Sequence, residues 1–432
     1  VTAPSPLSVI EHAVQDRARL DDLADGPAGE AAIRALIDDE VQRWQDEYRR
    51  GRRPHELVDP DGIAERAFRN LARYGPLTSL LDDDDVWEIM INAPDAIFVK
   101  RHRGPSGYHD EVFVDDDHVI RTLTRMLDRS STSHRKLNPA EGLQDAQLDD
   151  GARLHIVHGD LARGGHVMVN IRKFTGVTLT TLNQLVERDM LSPPAARFLA
   201  ACVRARQTIV FAGPPGSGKT TLLSCCAAEL DPGLRVVIAE EVFEADVPLA
   251  NVASLQTRAA RSDRPAVDLR RLVAGFLRMA PDIAIVGEVR DREALPLLLT
   301  LSSGVKGFTT IHAGSARQAL TRLRFVAQLS DVSANLPISA LNTLVSEAID
   351  VVVHTDRTAA GPRVTEIVAV EDLAGGVEAA QFTATDLFAR PVPQGPLAWT
   401  GHLPVRLGAA MGRAGIDVRA LLGGSGPSGA TP

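Results

Sequence analysis

Eight residues, Gly213, Pro214, Pro215, Gly216, Ser217, Gly218, Lys219 and Thr220, follow the spacing G-x-x-x-x-G-K-[ST] of a loop that wraps nucleotide phosphates. The glycines let the backbone curl so that successive N–H groups point inward at an anion. Lys219 is placed to reach the β and γ phosphates, and the Thr220 hydroxyl to hold Mg²⁺. Phosphoryl transfer to water further needs a carboxylate beside the metal, a group that aligns or deprotonates water, and cations that offset charge on the transferring group. Glu288 ends the apolar run Ile283–Val286 and suits the first role, while Glu240, Glu241 and Glu244 follow the run 236–239 and form a second acidic cluster. His312 follows Thr309–Ile311 and could sense a γ-phosphate. Arg153, Arg172, Lys173, Arg258, Arg270 and Arg278 are candidate cations. Each of these has an ordinary alternative: a solvated acidic loop, a structural histidine, a surface salt bridge.

These groups need a scaffold that brings distant positions to one edge. The run 208–212 reads as a buried strand entering the loop, and Thr221–Leu230 as a helix leaving it, whose N-terminus adds attraction for anions. Further apolar runs at 236–239, 283–286, 309–311 and 350–353 alternate with helical stretches, the pattern of a mainly parallel sheet covered on both faces. Ligands in such sheets sit at the carboxyl ends of the strands.

Upstream, residues 56–180 read as a separate α+β domain. Ile63–Tyr74 and Asp117–Leu127 have helical spacing, Val86–Ile91 and Ala96–Arg101 read as strands joined across Asn92–Asp95, Asp149-Asp150-Gly151 marks a hairpin turn, and Val167–Lys173 is a further strand. Ile33, Ile37, Val41, Trp44 and Tyr48 recur at helical spacing, so residues 1–55 read as a helical arm that docks on the body or on a neighbouring subunit. The domain that carries the phosphate loop is placed at 181–375, and 376–432 is a partly disordered tail ending in Gly/Ser/Pro-rich sequence.

The chain has 432 residues and a formal net charge of −9, which disfavours nucleic acid as a general partner. Its three cysteines, Cys202, Cys225 and Cys226, lack metal-ligand spacing and read as small buried residues of a reducing compartment. No run of eighteen apolar residues occurs, so a cytoplasmic location without direct membrane insertion is expected. Leu301-Ser-Ser-Gly-Val305 resembles the signature of ABC transporter ATPases, but it follows the acidic strand instead of preceding it, and lacks the second glycine and the glutamine.

Four segments in order resemble the type II/type IV secretion ATPase superfamily: Gly213–Thr221 its Walker A, Arg235–Glu244 its Asp box, Arg278–Arg290 its Walker B region and Gly307–Ala313 its His box. Tyr74–Leu77, Glu88–Asp95, Leu148–Arg153 and 170–174 are similar to the CpaF-like branch, which powers tight-adherence pilus assembly. The resemblance implies an α/β fold: a RecA-like P-loop NTPase motor domain behind a smaller α+β domain, with ATP and Mg²⁺ as ligands. It also implies a homo-hexameric ring, nucleotide bound between the two domains, and inner-membrane platform proteins as partners, reached from the cytoplasmic side. Glu240 would orient or activate water, Glu288 act through Mg²⁺, His312 sense the γ-phosphate, and Arg153, Arg172 and one of Arg258 or Arg278 contact phosphates. Glu241 stands where Asp is frequent, and Val305-Lys306 where many members carry polar residues. Conjugation or effector export, pilus retraction, a nucleotide-gated scaffold without turnover, and a nucleic-acid translocase are the alternatives.

Overall fold

The computed structural model describes residues 5–20, 27–101, 104–130, 136–173, 179–258, 260, 264–329, 336–358, 361–373, 381–392 and 395–423. The chain divides into two compact units, Val1–Gly176 and Val177–Pro432.

The first unit opens with three helices, α1 (Pro6–Leu20), α2 (Pro27–Arg49) and α3 (Pro60–Ala72). Ile37, Val41 and Trp44 from the apolar stripe of α2 pack against Ile10 and Val14 of α1 and Ala64 and Ala67 of α3. Gly51, with φ 72°, follows the end of α2, and the Asp59 side chain caps α3 ahead of Pro60. Trp44 is held at the rim of this cluster, its Nε1 donating to the His55 carbonyl at 3.0 Å and the Arg53 guanidinium lying 4.2 Å from its ring centroid. The stripe at helical spacing therefore docks within its own unit, and a boundary at residue 55 would cut through this core.

Next come α4 (Leu77–Asp82), β1 (Val86–Ala93), β2 (Ala96–Arg101), β3 (Gly107–Tyr108), α5 (Asp116–Arg129), β4 (Leu143–Gln147), β5 (Arg153–Val157) and β6 (Met168–Arg172). The strands form an antiparallel sheet in the order β3-β2-β1-β6-β5-β4. Strand alternation sends Ile89, Ile91, Ile97, Val99, Leu154, Ile156, Val169 and Ile171 to a core shared with Val119, Leu123 and Met126 of α5. Lys173 closes this unit structurally: its ammonium donates to the carbonyls of Leu80 and Asp83 at 2.9 and 2.7 Å, and burial lowers its pKa against the nearby aspartates. It is a tie to the end of α4, not a cation for a ligand.

The second unit contains α6 (Leu182–Glu187), α7 (Pro193–Arg204), β7 (Ile209–Ala212), α8 (Lys219–Ala227), β8 (Val236–Glu240), β9 (Val252–Gln256), α9 (Leu269–Ala274), β10 (Ile283–Val286), α10 (Ala294–Ser302), β11 (Lys306–Ile311), α11 (Ala316–Gln328) and α12 (Ile338–Ala348). It continues with β12 (Val351–Thr358), β13 (Gly361–Val370), β14 (Ala384–Ala389), β15 (Ala398–Trp399), α13 (Arg406–Arg413) and α14 (Val418–Gly423). One nine-stranded sheet runs β15-β14-β13-β12-β7-β11-β10-β8-β9, parallel from β12 to β9 and antiparallel beyond β12. Alternate residues of the central strands feed two cores: Ile209, Phe211, Ile238 and Ile285 face α7 and α8, whereas Val210, Ala212, Val237 and Val286 face α10 and α11. Burial on both faces is why these strands read as continuous apolar runs.

The expected strands occur, and the sheet is wider than the sequence indicates. β9 is an edge strand with no fully buried residue, which leaves no apolar pattern to detect. Beyond residue 375, Leu387, Phe388, Leu397, Leu407, Met411, Val418 and Leu422 join the core beside α7 and α8. These apolar residues are scattered among Gly and Pro, so a tail was expected where the structure continues the domain; residues 424–432 lie outside the described residues. Among the described residues no helix is long and apolar enough to cross a membrane.

Candidate active site

Parallel pairing decides which residues meet. In the order β7-β11-β10-β8, Ala212 pairs with Ile311, Val286 with Thr309, and Val286 with Ala239. The loop after Ala212, His312 after Ile311, Glu288 just past Val286 and Glu240 at the end of β8 therefore emerge side by side at the carboxyl edge.

The loop is glycine-dependent in a specific way. Gly213, Gly216 and Gly218 have φ of 152°, 70° and 84°, and a Cβ on Gly213 would lie 2.2 Å from the Thr355 carbonyl oxygen. Pro214 and Pro215 stiffen the turn between them. α8 begins at Lys219, two residues before the Thr221 start expected from sequence, because the Gly218 residue in the left-handed region already ends the loop. Past its first turn this helix is buried, and its thiols are inert packing groups: burial pushes the Cys225 thiol up to about 12 and that of Cys226 well above the usual range.

Inside the loop the Lys219 ammonium donates to the carbonyls of Gly213 and Pro214 at 3.1 and 2.9 Å and lies 3.4 Å from His312 Nδ1. His312 Nε2 is 2.8 Å from Glu288 Oε1, and its Nδ1 is 3.2 Å from the Gly213 carbonyl. The imidazole thus bridges the Glu288 carboxylate and the loop. Glu240 is buried at 3% exposure, its Oε1 accepting the backbone N–H groups of Glu244 and Ala245 at 3.1 and 3.0 Å. That fixes one oxygen and hence the plane of the carboxylate.

Gly287 makes room for it. A Cβ there would sit 2.8 Å from Glu240 Cγ and 2.9 Å from Oε1, inside van der Waals contact. Gly287→Ala should therefore displace the carboxylate and lower turnover by about 10-fold or more, since small misplacements of a reacting group are expensive. Phosphate release by a variant with an unchanged melting midpoint checks this; wild-type turnover would show that the close approach is incidental.

Thr220 Oγ1 donates to Glu244 Oε2 at 3.2 Å. Two hard oxygen donors at that separation can occupy neighbouring corners around a small divalent cation, and Mg²⁺ binds through one or two such protein oxygens plus phosphates and water. The donor set fits Mg²⁺, with Glu244 beside Thr220 as a candidate that spacing had left within a generic acidic cluster; Glu288 instead faces His312. Glu241 pairs with Arg290.

The other candidate cations are distributed unevenly. Arg278 lies in a 3₁₀ turn, Phe276–Met279, that precedes β10 and so occupies the amino edge of the sheet. Four strand residues, about 13 Å, separate it from the carboxyl edge, so it does not join its own chain's loop. Arg258 lies past β9, four strands or roughly 19 Å sideways from β7, and donates to the Pro265 carbonyl at 3.2 Å. Arg270 is on α9. Arg153 and Arg172 belong to the first unit, directly opposite each other on β5 and β6, with Glu88 next in the row and paired to Lys100 at 2.6 Å.

Thr355 and Arg357, both on β12, were not singled out by sequence. Thr355 Oγ1 is 2.8 Å from Ser217 Oγ, and Arg357 Nη1 donates to the Gly216 carbonyl at 3.1 Å. Their signal was weak because β12 turns from apolar to polar after Val353, where the strand was expected to stop.

The model of the Type II/IV secretion system protein family matches residues 70–359, which span the loop, all three acidic and histidine positions, and the Arg153–Arg172 pair. The chain belongs to the type II/IV secretion system protein family. Similar members of that family include the conjugal transfer protein TrbB of Rhizobium radiobacter, 30% identical over 67% of this chain and 85% of that protein. Another is the type IV secretion system protein PtlH of Bordetella pertussis, 31% identical over 65% of this chain and 88% of that protein. Among solved structures, the VirB11 ATPase of the Brucella suis type IV secretion system is 26% identical, covering 68% of this chain and 94% of that one, with a TM-score of 0.37. Assignment to the secretion family rests on the sequence match. The α/β architecture, with a mostly parallel sheet that follows an α+β domain along the chain, is the one the resemblance implies.

Proposed function

We propose that this chain is an Mg²⁺-dependent ATPase, a homo-hexameric motor that energises pilus assembly or protein secretion through inner-membrane platform proteins from the cytoplasmic side. The observation that carries it is the single row of strand ends holding Lys219, His312, Glu288 and Glu240. Lys219 binds the β and γ phosphates, Thr220 with Glu244 and Glu288 provides oxygen ligands or outer contacts for Mg²⁺, and Glu240 orients water and accepts its proton. Bound Mg²⁺ neutralises charge on the phosphates. His312, already bonded to Glu288 and to the loop, reports the γ-phosphate position to the carboxylate. Arg153 and Arg172 contribute phosphate contacts; Arg258 and Arg278, remote from their own loop, can reach nucleotide only across subunits.

The tight-adherence reading rests on the motifs of the first unit, including Tyr74–Leu77 and Leu148–Arg153. Conjugation or type IV export is the second reading, favoured by what TrbB and PtlH are named for. Both require the same chemistry. Phosphate release with ATP and Mg²⁺ tests it: activity should fall to background with excess chelator and return with added Mg²⁺. Chelator-insensitive turnover, or none under any condition, would overturn the proposal, the second outcome in favour of a nucleotide-gated scaffold.

A further inference from the structure

The β12–β13 hairpin touches both loops of the site, through consecutive residues that point to opposite faces. Along β12, Val351 and Val353 enter the core beside α8, and Val352 enters the core beside α11. Thr355 continues the first series and His354 the second. Thr355 is wholly buried; its Oγ1 lies 2.8 Å from Ser217 Oγ and 3.2 Å from the Ala212 carbonyl, while Ser217 Oγ lies 2.8 Å from the Pro214 carbonyl. Three contacts share two hydroxyl protons. Either Ser217 donates to Thr355 and Thr355 to Ala212, or Thr355 donates to Ser217 and Ser217 to Pro214. Both arrangements bind the loop to β12, and the first leaves the Pro214 carbonyl to Lys219.

His354, on the other face, places Nε2 3.2 Å from the carbonyl of Ala313, the residue after His312. Its Nδ1 is 2.6 Å from Thr365 Oγ1. The strand register shifts here: His354 opposes Glu366 and Thr355 opposes Val364, so Thr365 is the extra residue of a bulge. Glu366 then accepts the Ala316 N–H at the start of α11 at 2.5 Å. The bulge aims Thr365 at the His354 ring and Glu366 at the turn of chain that carries His312.

We propose that Thr355 and His354 are positioning residues: Thr355 sets the conformation of the phosphate loop, His354 sets the His312 segment, and the hairpin keeps the two in one mutual geometry. The inference rests on the nucleotide-hydrolysis reading. It assigns separable effects, because the loop governs how phosphates are held and His312 governs what happens to them.

The test uses the full chain, with equilibrium titration of mant-ADP and, separately, steady-state phosphate release. Thr355→Val keeps the shape and removes the hydroxyl; mant-ADP affinity should drop about 10-fold, with kcat at saturating ATP changed less than about 3-fold. Thr355→Ser should restore affinity to within about 2-fold of wild type, which a merely steric role would not do. Ser217→Ala should cost a comparable affinity, and the double variant less than the sum of the two single losses, since the singles share the Ser217–Thr355 contact. His354→Gln should lower kcat about 10-fold with mant-ADP affinity unchanged. Wild-type affinity in Thr355→Val, additive losses in the double variant, or wild-type kcat in His354→Gln would overturn the proposal. Should Thr355→Val not fold, Ser217→Ala carries the same criterion. Failure of the wild-type chain itself to bind mant-ADP would be a failure of the hydrolysis reading, seen before any variant is compared.

Discussion

Lys219→Ala is expected to reduce nucleotide turnover by about 10³-fold or more, to the background of the assay. Lys219 is 7% exposed and its ammonium lies among the carbonyls of Gly213 and Pro214 and the ring of His312, so it is the positive charge at the centre of the loop. Phosphate oxygens can replace those carbonyls with little movement, and the strengthened interaction grows as charge gathers on the transferring group. Alanine removes the charge and one donor from each of two loop carbonyls, which keep Ser217 Oγ and His312 Nδ1 within hydrogen-bond distance, so the cost in local stability is about 1 kcal/mol. A melting curve separates the two effects: the variant should melt close to wild type while phosphate release is lost. Persistent turnover would mean that the octapeptide is not the reacting site.

Glu240→Gln should behave differently, binding nucleotide normally while hydrolysis slows by about 10²-fold or more, the scale of a lost base or water-positioning group. Glutamine keeps the volume of the side chain against Gly287, and its carbonyl oxygen can still accept the N–H groups of Glu244 and Ala245. What disappears is the negative charge that takes a proton from water. Titration with a nucleotide analogue beside single-turnover hydrolysis distinguishes the predicted split from a general loss. If Glu240→Gln weakened binding and left the hydrolysis step at wild-type speed, the base would have to be another carboxylate, with Glu288 next in line.

Most of the candidate site was legible because its members follow strands buried on both faces. Ile209–Ala212, Val236–Glu240, Ile283–Val286 and, past its first residue, Lys306–Ile311 are buried along their length and mostly apolar, and that pattern marks their carboxyl ends whatever the loops contain. Strand order was not legible, and it decides the outcome for the arginines: Arg278 reads as close to Glu288 along the chain, but the intervening β10 carries it to the opposite edge. Thr355 and His354 were hidden for a related reason. They meet Ser217 and Ala313 across 138 and 41 residues of sequence, in a polar stretch that resembles the end of a strand. Gly287 and Glu244 were visible as residues yet not as roles, since Gly287 matters only because the Glu240 side chain lies against it and Glu244 only because it meets Thr220. The stretch after 375 shows the converse error, where scattered apolar residues complete a core already begun elsewhere, while the stripe of the helical arm docks within its own unit, one of the two expected placements.

The most direct test of the account is phosphate release measured across size-exclusion fractions of the full chain, run with and without a non-hydrolysable ATP analogue. The account predicts Mg²⁺-dependent activity confined to a hexamer, enriched by the analogue and absent from the same fraction of Lys219→Ala. A fully active monomer would contradict the inter-subunit motor, and a hexamer that binds the analogue but releases no phosphate would contradict the hydrolytic site itself.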